Sequence, residues 1–233
     1  RLSPTIIPLF FLQLVAPRWE MQDQDASSLR CNSSVCIIEI DADGAVGTGF
    51  LGILPASLPG LLFLVTCHHV IPNEATCTAA ICTFEAESQP STSLVLEPRL
   101  GFWSSKLLDV ALVRVASKAA FDLARLQPYV LDLELEPVVG EALTFSGFCR
   151  QDLRDFKGRC LGKFGNQLRI EVHGKVPEKG ASGGPVVASG RAVAVHMGIF
   201  REESGVEARA SLLKAITSEV TCTDLRGSLR PKL

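Results

Sequence analysis

The sequence lacks the patterns that mark metal sites. None of its eight cysteines forms a C-x-x-C pair, and no H-E-x-x-H segment is present. Its four histidines have no ligand spacing beyond one adjacent pair, His68 and His69. Structural and catalytic zinc sites need several such ligands at short, defined spacing. We therefore expect no metal and no cofactor.

The chain also has little net charge and no long apolar run. Its formal net charge is −2 over 233 residues, and no basic stripe is present. Nucleic acids and anionic membranes select basic surfaces, so neither is expected as a partner. The apolar segment 6–16 is interrupted by Pro8 and Gln13 and is too short to cross a bilayer. We expect residues 1–30 to form a leader or covering segment.

The even number of cysteines fits a disulfide framework, but the rest of the sequence does not require one. The chain is long and 47% hydrophobic, which is enough for a sizeable core without covalent bridges. We expect mostly free, buried thiols, which favours a reducing compartment and leaves the localisation unassigned. Local bridges between Cys31 and Cys36 and between Cys77 and Cys82 are the alternative.

Short apolar segments separated by Gly, Pro, Ser and Asp indicate many strands and few helices. Six lie in the first half, at residues 35–40, 46–53, 61–66, 80–84, 93–96 and 110–115. After a connecting stretch, 118–137, five more lie at residues 142–146, 159–162, 168–172, 185–188 and 192–197. Each set suits one small barrel. The predicted fold is all-β, with two six-stranded antiparallel barrels.

The C-terminal segment has a different periodicity. Leu212, Ile216 and Val220 lie four residues apart, which predicts an amphipathic helix over residues 207–220. The predicted organisation is a leader or covering segment, a first barrel, a connection, a second barrel, and a helix with a tail. These units span residues 1–30, 31–120, 121–137, 138–206 and 207–233.

The segment Gly180-Ala181-Ser182-Gly183-Gly184-Pro185 has the features of a nucleophile loop. A serine between glycines keeps its hydroxyl clear of neighbouring side chains. The glycine backbone can also come close enough to a carbonyl oxygen to donate hydrogen bonds. The NH groups of Gly180 and Ser182 are the candidate donors. Glycine–serine runs also occur in ordinary turns, so the segment needs partners elsewhere in the sequence.

A histidine and an aspartate upstream supply these partners. His69 follows the apolar run 61–65, which is typical of a buried strand. Asp109 lies within an apolar run, where a carboxylate needs a partner to be buried. Either residue alone is most simply a structural one. The order His, Asp, Ser is much harder to obtain by chance.

Four motifs together carry a family resemblance. They are Gly47-Thr48-Gly49-Phe50, Thr66-Cys67-His68-His69-Val70, Asp109-Val110-Ala111-Leu112 and Gly180 to Pro185. They resemble those of chymotrypsin-fold serine proteases, in particular HtrA-type proteases and glutamyl endopeptidases. The match spans about residues 35–220 and includes no PDZ domain, for which the segment after the second barrel is too short.

The resemblance implies a serine endopeptidase that acts on polypeptides. It implies a catalytic triad of His69, Asp109 and Ser182, and the T-x-x-H-V pattern selects His69 over His68. The NH groups of Gly180 and Ser182 would form the oxyanion hole. Ala181 stands where trypsin-type zymogens have the aspartate that pairs with a new N-terminus, so activation of that kind is not expected.

Substrate preference is also implied by the resemblance. His196 and Gly198 lie where relatives line the S1 pocket, and a histidine there meets a Glu or Gln side chain at P1. Pro177 departs from the pattern, because glutamyl endopeptidases have a hydroxyl residue at that position.

Two alternatives to an active protease share part of this pattern. A catalytically inactive protease-like module that binds or scaffolds has the same motifs and stays open. An α/β-hydrolase esterase also has a G-x-S-x-G segment. It requires the chain order Ser, Asp, His, however, and no histidine follows His196, so this class is excluded.

Overall fold

The computed structural model describes residues 33–40, 45–54, 61–86, 89–116, 126–202 and 205–219. The expected leader, Cys31 and Cys222 lie outside these ranges. The N-terminal half contains β1 (Val35–Ile40), β2 (Ala45–Ile53), β3 (Leu62–Thr66), α1 (Glu74–Ala79), β4 (Ala80–Ala86), β5 (Gln89–Val95), β6 (Phe102–Ser105), β7 (Val110–Arg114) and β8 (Tyr129–Val130). The C-terminal half contains β9 (Ala142–Cys149), β10 (Asp152–Phe164), β11 (Gln167–His173), β12 (Pro185–Ala188), β13 (Arg191–Glu202), β14 (Gly205–Leu212) and α2 (Ile216–Glu219). The prediction of an all-β fold is confirmed.

The N-terminal half forms one sheet, in the strand order β5-β4-β1-β2-β3-β7-β6. Neighbours on this path are antiparallel, and β8 pairs with β2 in parallel. All five residues of β3 are buried between β2 and β7, which explains the unbroken apolar run in that part of the sequence. Because β3 and β7 are neighbours, the end of β3 and the start of β7 lie side by side. His69 follows the first, and Asp109 precedes the second.

The C-terminal half forms a closed six-stranded barrel, in the order β10-β11-β14-β13-β12-β9. In β11 the buried Leu168 and Ile170 alternate with the less buried Arg169 and Glu171, as the sequence predicts. β10 is much longer than the predicted segment 159–162. Its buried positions carry residues of different kinds and alternate with charged residues. The apolar pattern that would predict this strand from the sequence is therefore weak.

The connection between the halves contains a strand that the sequence did not indicate. β8 pairs with Gly52 and Ile53 of β2, and the next residue, Leu131, bridges to Ala192 of β13. A Cβ atom at Gly52 would lie 2.4 Å from the Leu131 side chain, so this close approach requires glycine. The connection thereby contacts strands of both halves.

The predicted helix over residues 207–220 is wrong for its first part. Residues up to Leu212 belong to β14, which pairs with β11 and β13 and closes the barrel. A short 3₁₀ turn, Leu213–Ala215, and the single-turn α2 follow. Val220 lies outside the described residues. The backbone hydrogen bonds of the two neighbouring strands outweigh the helical spacing of the apolar residues, since intrinsic propensity is a weak determinant.

The cysteines of the described residues are buried and free. They are Cys36, Cys67, Cys77, Cys82, Cys149 and Cys160. The alternative of a bridge between Cys77 and Cys82 is therefore wrong for this structure. Burial raises the pKa of the Cys77 thiol to about 12, so it stays protonated at neutral pH. No helix among the described residues is long and apolar enough to cross a membrane.

Candidate active site

His69 and Asp109 contact each other at the adjacent ends of β3 and β7. The His69 Nδ1 atom lies 2.8 Å from Oδ2 of Asp109, and the backbone NH of His69 donates to Oδ1 at 2.9 Å. The carboxylate is thus held at both oxygens by one residue. About half of the His69 side chain is exposed, against 16% of Asp109. The carboxylate therefore orients the imidazole from its Nδ1 side, and the rest of the ring remains open to solvent.

Asp109 occupies an unusual backbone conformation. Its φ angle is 51°, in the left-handed region that non-glycine residues seldom adopt. This conformation places the carboxylate under the His69 turn immediately before β7 begins. The cost of such a conformation is met by the surrounding contacts, and strain of this kind clusters at functional sites.

Two other side chains near His69 have separate roles. His68 does not contact Asp109; its Nδ1 atom lies 2.7 Å from Oγ of Ser104. The Cys67 thiol lies beneath the pair, and its sulfur, the histidine nitrogens and the carboxylate offer ligand atoms within 4.8 Å of one another. Burial, and then the charge of Asp109, raise the pKa of Cys67. A metal there would need the thiolate and would break the hydrogen bond from His69, so we assign no metal to it.

Ser182 lies in the loop before β12, between two glycines with positive φ angles. These are Gly180, at 103°, and Gly183, at 98°. A Cβ atom at Gly183 would lie 1.9 Å from the carbonyl oxygen of Thr48. The loop therefore packs directly on the backbone of β2, which only glycine permits.

Thr48 of β2 joins this loop to the N-terminal sheet. Its backbone NH donates to the Ser182 carbonyl at 2.8 Å, and its buried hydroxyl donates to the Gly180 carbonyl at 2.7 Å. The same hydroxyl accepts from the NH of Phe148 in β9 at 2.8 Å. The Thr66 hydroxyl, at the end of β3, donates to the Thr48 carbonyl at 2.6 Å. The serine loop is thus fixed against the strands that lead to His69.

A second contact between the halves lies beside the first. The carbonyl oxygen of His196 in β13 accepts from the NH of Gly183 at 2.7 Å and from the thiol of Cys67 at 3.2 Å. Cys67 lies two residues before His69, and Gly183 follows Ser182 directly. Their common acceptor brings the histidine turn and the serine loop together.

The structure forms one of the two hydrogen bonds of the predicted triad. The Ser182 hydroxyl donates to the backbone carbonyl of Met197 at 2.8 Å, and no hydrogen bond joins it to His69 in the described structure. The NH groups of Gly180 and Ser182 donate to no other backbone group in the described part of the chain. His69 and Asp109 are in contact, while the Ser182 hydroxyl is turned toward β13.

Comparison with profiles of protein families and with curated protein sequences gave no match. Among solved structures, the scabies mite inactivated protease paralogue S-I1 aligns with a TM-score of 0.61 at 16% identity, covering 79% of this chain and 90% of that one. Deg5 aligns with a TM-score of 0.56 at 16% identity, covering 80% and 87%. The chain has the fold of the chymotrypsin-like serine proteases. The active form of the Rv3671c protease from M. tuberculosis also aligns, with a TM-score of 0.53 at 18% identity over 85% and 80%. Active and inactivated proteins share this chymotrypsin-like fold, so the fold alone does not decide activity.

The two residues expected in the S1 pocket of the chymotrypsin-like fold differ in accessibility. His196 is only 2% exposed, its ring stacks on Phe145 at 5.2 Å, and its Nδ1 atom lies 3.1 Å from the Ala181 carbonyl oxygen. Its Nε2 atom is buried with no hydrogen-bond partner among the described residues. Burial lowers the pKa of His196 to about 4. Gly198 follows a bulge in β13, and a Cβ atom there would meet nothing within 4 Å.

Sequence reasoning missed two participants at this site. Thr48 belongs to a motif that was recognised, but its hydroxyl was given no role. Its position between two glycines is the only signal that could have suggested close backbone packing. The Met197 carbonyl could not have been found, since every residue has a carbonyl and only tertiary structure selects one.

Proposed function

We propose that this protein is a serine endopeptidase with His69, Asp109 and Ser182 as its triad. The observation that carries the proposal is the His69–Asp109 contact, made through both carboxylate oxygens beside a serine loop that is fixed to the neighbouring strand β2. In this arrangement Asp109 accepts a hydrogen bond from Nδ1–H of His69, which leaves the Nε2 lone pair available as a general base.

The proposed reaction begins with rotation of the Ser182 hydroxyl. The hydroxyl leaves the Met197 carbonyl and turns to His69, which removes its proton as the oxygen attacks the peptide carbonyl. His69 then returns the proton to the leaving amine, and Asp109 stabilises the imidazolium. Water releases the acyl group by the same steps. Hydrogen bonds of this kind are often unmade until substrate binds.

The Met197 carbonyl gives this rotation a physical cause. A backbone carbonyl on the strand beside the nucleophile can accept the NH of an extended substrate, as one strand accepts from the next. Substrate binding then competes for the acceptor that Ser182 uses here. The hydroxyl is displaced as substrate arrives.

The oxyanion is proposed to bind to the NH groups of Gly180 and Ser182. Both are without a backbone acceptor in the described part of the chain; one belongs to Ser182 itself, and the other lies two residues before it. Removal of one oxyanion donor costs roughly 3–4 kcal/mol of transition-state stabilisation in an unrelated serine protease.

For P1 we propose a preference for Gln over Glu, with His196 and Gly198 in the S1 pocket. Nδ1 of His196 faces a carbonyl oxygen, which only accepts, so this nitrogen carries the proton of the neutral ring. The buried Nε2 is then an acceptor. It can accept a hydrogen bond from the NH2 group of a glutamine side chain, whereas an ionised glutamate has no hydrogen to donate. The pocket must open to expose Nε2.

The test is cleavage-site profiling of the wild type against Ser182→Ala, with fluorophosphonate labelling of both. We expect wild-type labelling on Ser182, cleavage after Gln above Glu, and neither in the variant. Ser93→Ala, an exposed serine on β5, is the matched control and should match the wild type. Labelling that persists in Ser182→Ala would refute the assignment. Cleavage only after Leu, Phe, Lys or Arg would remove the P1 proposal alone.

A catalytically inactive, protease-like binding module is the second candidate. The hydrogen bond from Ser182 to Met197 favours it, since the nucleophile is not joined to its base in this structure. A folded wild type that neither cleaves nor labels would support this candidate over the first.

A further inference from the structure

The peptide unit between Ala181 and Ser182 is held by its carbonyl oxygen. That oxygen accepts from Nδ1 of His196 at 3.1 Å and from the NH of Gly184 at 3.3 Å. In a trans peptide the carbonyl and the NH point in opposite directions. A carbonyl fixed toward the buried imidazole therefore turns the NH of Ser182 away from it, to the opposite side of the loop.

The preceding NH of the proposed oxyanion hole is oriented in a similar way. The carbonyl of Lys179 accepts from the backbone NH of Arg150 at 3.3 Å, which turns the NH of Gly180 away from Arg150. That anchor comes from the backbone, whereas the anchor at Ala181 includes a side chain. His196 can therefore be tested by substitution, and the Arg150 NH cannot.

His196 is itself firmly placed. Its backbone NH donates to the Gly184 carbonyl at 2.9 Å, and its carbonyl accepts from Gly183 and Cys67. Its ring stacks on Phe145, with 27° between the ring planes. The backbone and the ring are thus both fixed beneath the serine loop, so Nδ1 meets the Ala181 oxygen with little rotamer freedom to lose.

We propose that His196 is a positioning residue that aims the Ser182 NH at the oxyanion. This inference rests on the proposed function. The side chain of Ala181 is a buried methyl group and cannot anchor the loop. The anchor comes instead from β13, through one hydrogen bond from an imidazole to a backbone carbonyl. Without it, only the 3.3 Å hydrogen bond from the NH of Gly184 holds this carbonyl, and the peptide unit can rotate and present its carbonyl, in place of its NH, to the oxyanion.

The test compares His196→Asn with His196→Leu. The amide nitrogen of asparagine stands the same number of bonds from Cα as Nδ1 of histidine, so asparagine can keep the donor and leucine cannot. We expect kcat of the leucine variant to fall about 10²–10³-fold, the loss typical of one oxyanion donor, with KM little changed. The asparagine variant should recover most of kcat. Affinity for a peptidyl boronic acid, whose adduct places an oxygen in the hole, should follow kcat.

The control is Phe156→Leu, which removes core volume at a ring that is separated from His196 by Phe145. Phe156 stacks on Phe145 at 5.3 Å. The Phe156→Leu substitution should lower Tm and leave kcat unchanged. If the leucine variant of His196 does not fold, His196→Gln replaces it. Glutamine carries its amide one bond further out, like Nε2, so we expect kcat at least tenfold below that of the asparagine variant.

The outcomes separate this inference from the proposed function. A wild type that does not label on Ser182 refutes the proposed function. An active wild type whose leucine variant keeps its kcat overturns the inference alone. The inference is also overturned if asparagine is no better than leucine or glutamine, or if the substitutions change only KM and the P1 profile.

Discussion

The two halves of this molecule contribute to the site in different states. The N-terminal sheet presents His69 and Asp109 already in contact, through a side chain and a backbone NH. The C-terminal barrel presents Ser182 with its hydroxyl on the Met197 carbonyl. The His69–Asp109 pair is therefore organised by the fold itself, whereas no hydrogen bond joins the Ser182 hydroxyl to it in the described structure. In the proposed mechanism, the step that remains is the rotation of the Ser182 hydroxyl in the C-terminal half.

The largest expected effect comes from breaking the organised half. Asp109→Asn should lower kcat about 10⁴-fold, the size of the same change in another triad enzyme. Both carboxylate oxygens accept from His69, and an amide offers one oxygen and one donor. In the variant, either the amide NH2 group faces an NH of His69, so that two donors oppose each other, or the imidazole takes the other tautomer.

The measurement is single-turnover acylation with a chromogenic ester. Asp152→Asn, an exposed carboxylate at the start of β10, is the control and should be unchanged. An Asp109→Asn variant within tenfold of the wild type would show that the preformed contact does not orient the base.

A smaller effect is expected where the two halves meet. Thr48→Val keeps the side-chain volume and removes the buried hydroxyl, which leaves the Gly180 carbonyl and the Phe148 NH without their partner. Buried groups left unpaired each cost about 1–3 kcal/mol, so the loss of two partners should lower the free energy of unfolding by about 2–6 kcal/mol.

Urea denaturation measures this loss. Thr78→Val on α1 removes an exposed hydroxyl that donates to Glu74, and it should change stability by less than about 0.5 kcal/mol. Equal stability of the Thr48 variant and the wild type would mean that the two halves do not depend on this hydroxyl.

The smallest expected effect is a pH dependence that originates in the C-terminal half. Burial lowers the pKa of His196 to about 4 in the folded chain, whereas an exposed histidine has a pKa near 6.5. The unfolded chain therefore binds a proton first as the pH falls. This contribution to stability is complete above about pH 6.5 and is lost as the pH approaches 4.

Between pH 7 and pH 4.5, His196 should lower the free energy of unfolding by about 2 kcal/mol. The stability difference between the wild type and His196→Leu should move by that amount in favour of the variant. A difference that stays constant over this range would show that the imidazole is accessible to protons in the folded state.

Much of the fold followed from local patterns. The apolar run of β3 and the alternation of β11 are visible in the sequence because each strand has a buried face or is buried throughout. β8 and β14 were missed for a different reason. β8 has only two residues, and β14 contains only Leu212 of the helical stripe, so the pairing of β14 with β11 and β13 is not visible in that spacing. Neither feature is a property of its own segment.

The sequence by itself determined which residues are candidates for chemistry. His69, Asp109 and Ser182 carry reactive groups, and the glycines and apolar residues that mark their motifs lie close to them in the chain. Tertiary structure alone decided how those groups are engaged. Asp109 meets His69 because β3 and β7 are neighbours, and the Ser182 hydroxyl meets Met197 because β13 passes beneath the loop. A hydrogen bond depends on a distance and an angle between residues far apart in the chain, and no pattern of residue types specifies either.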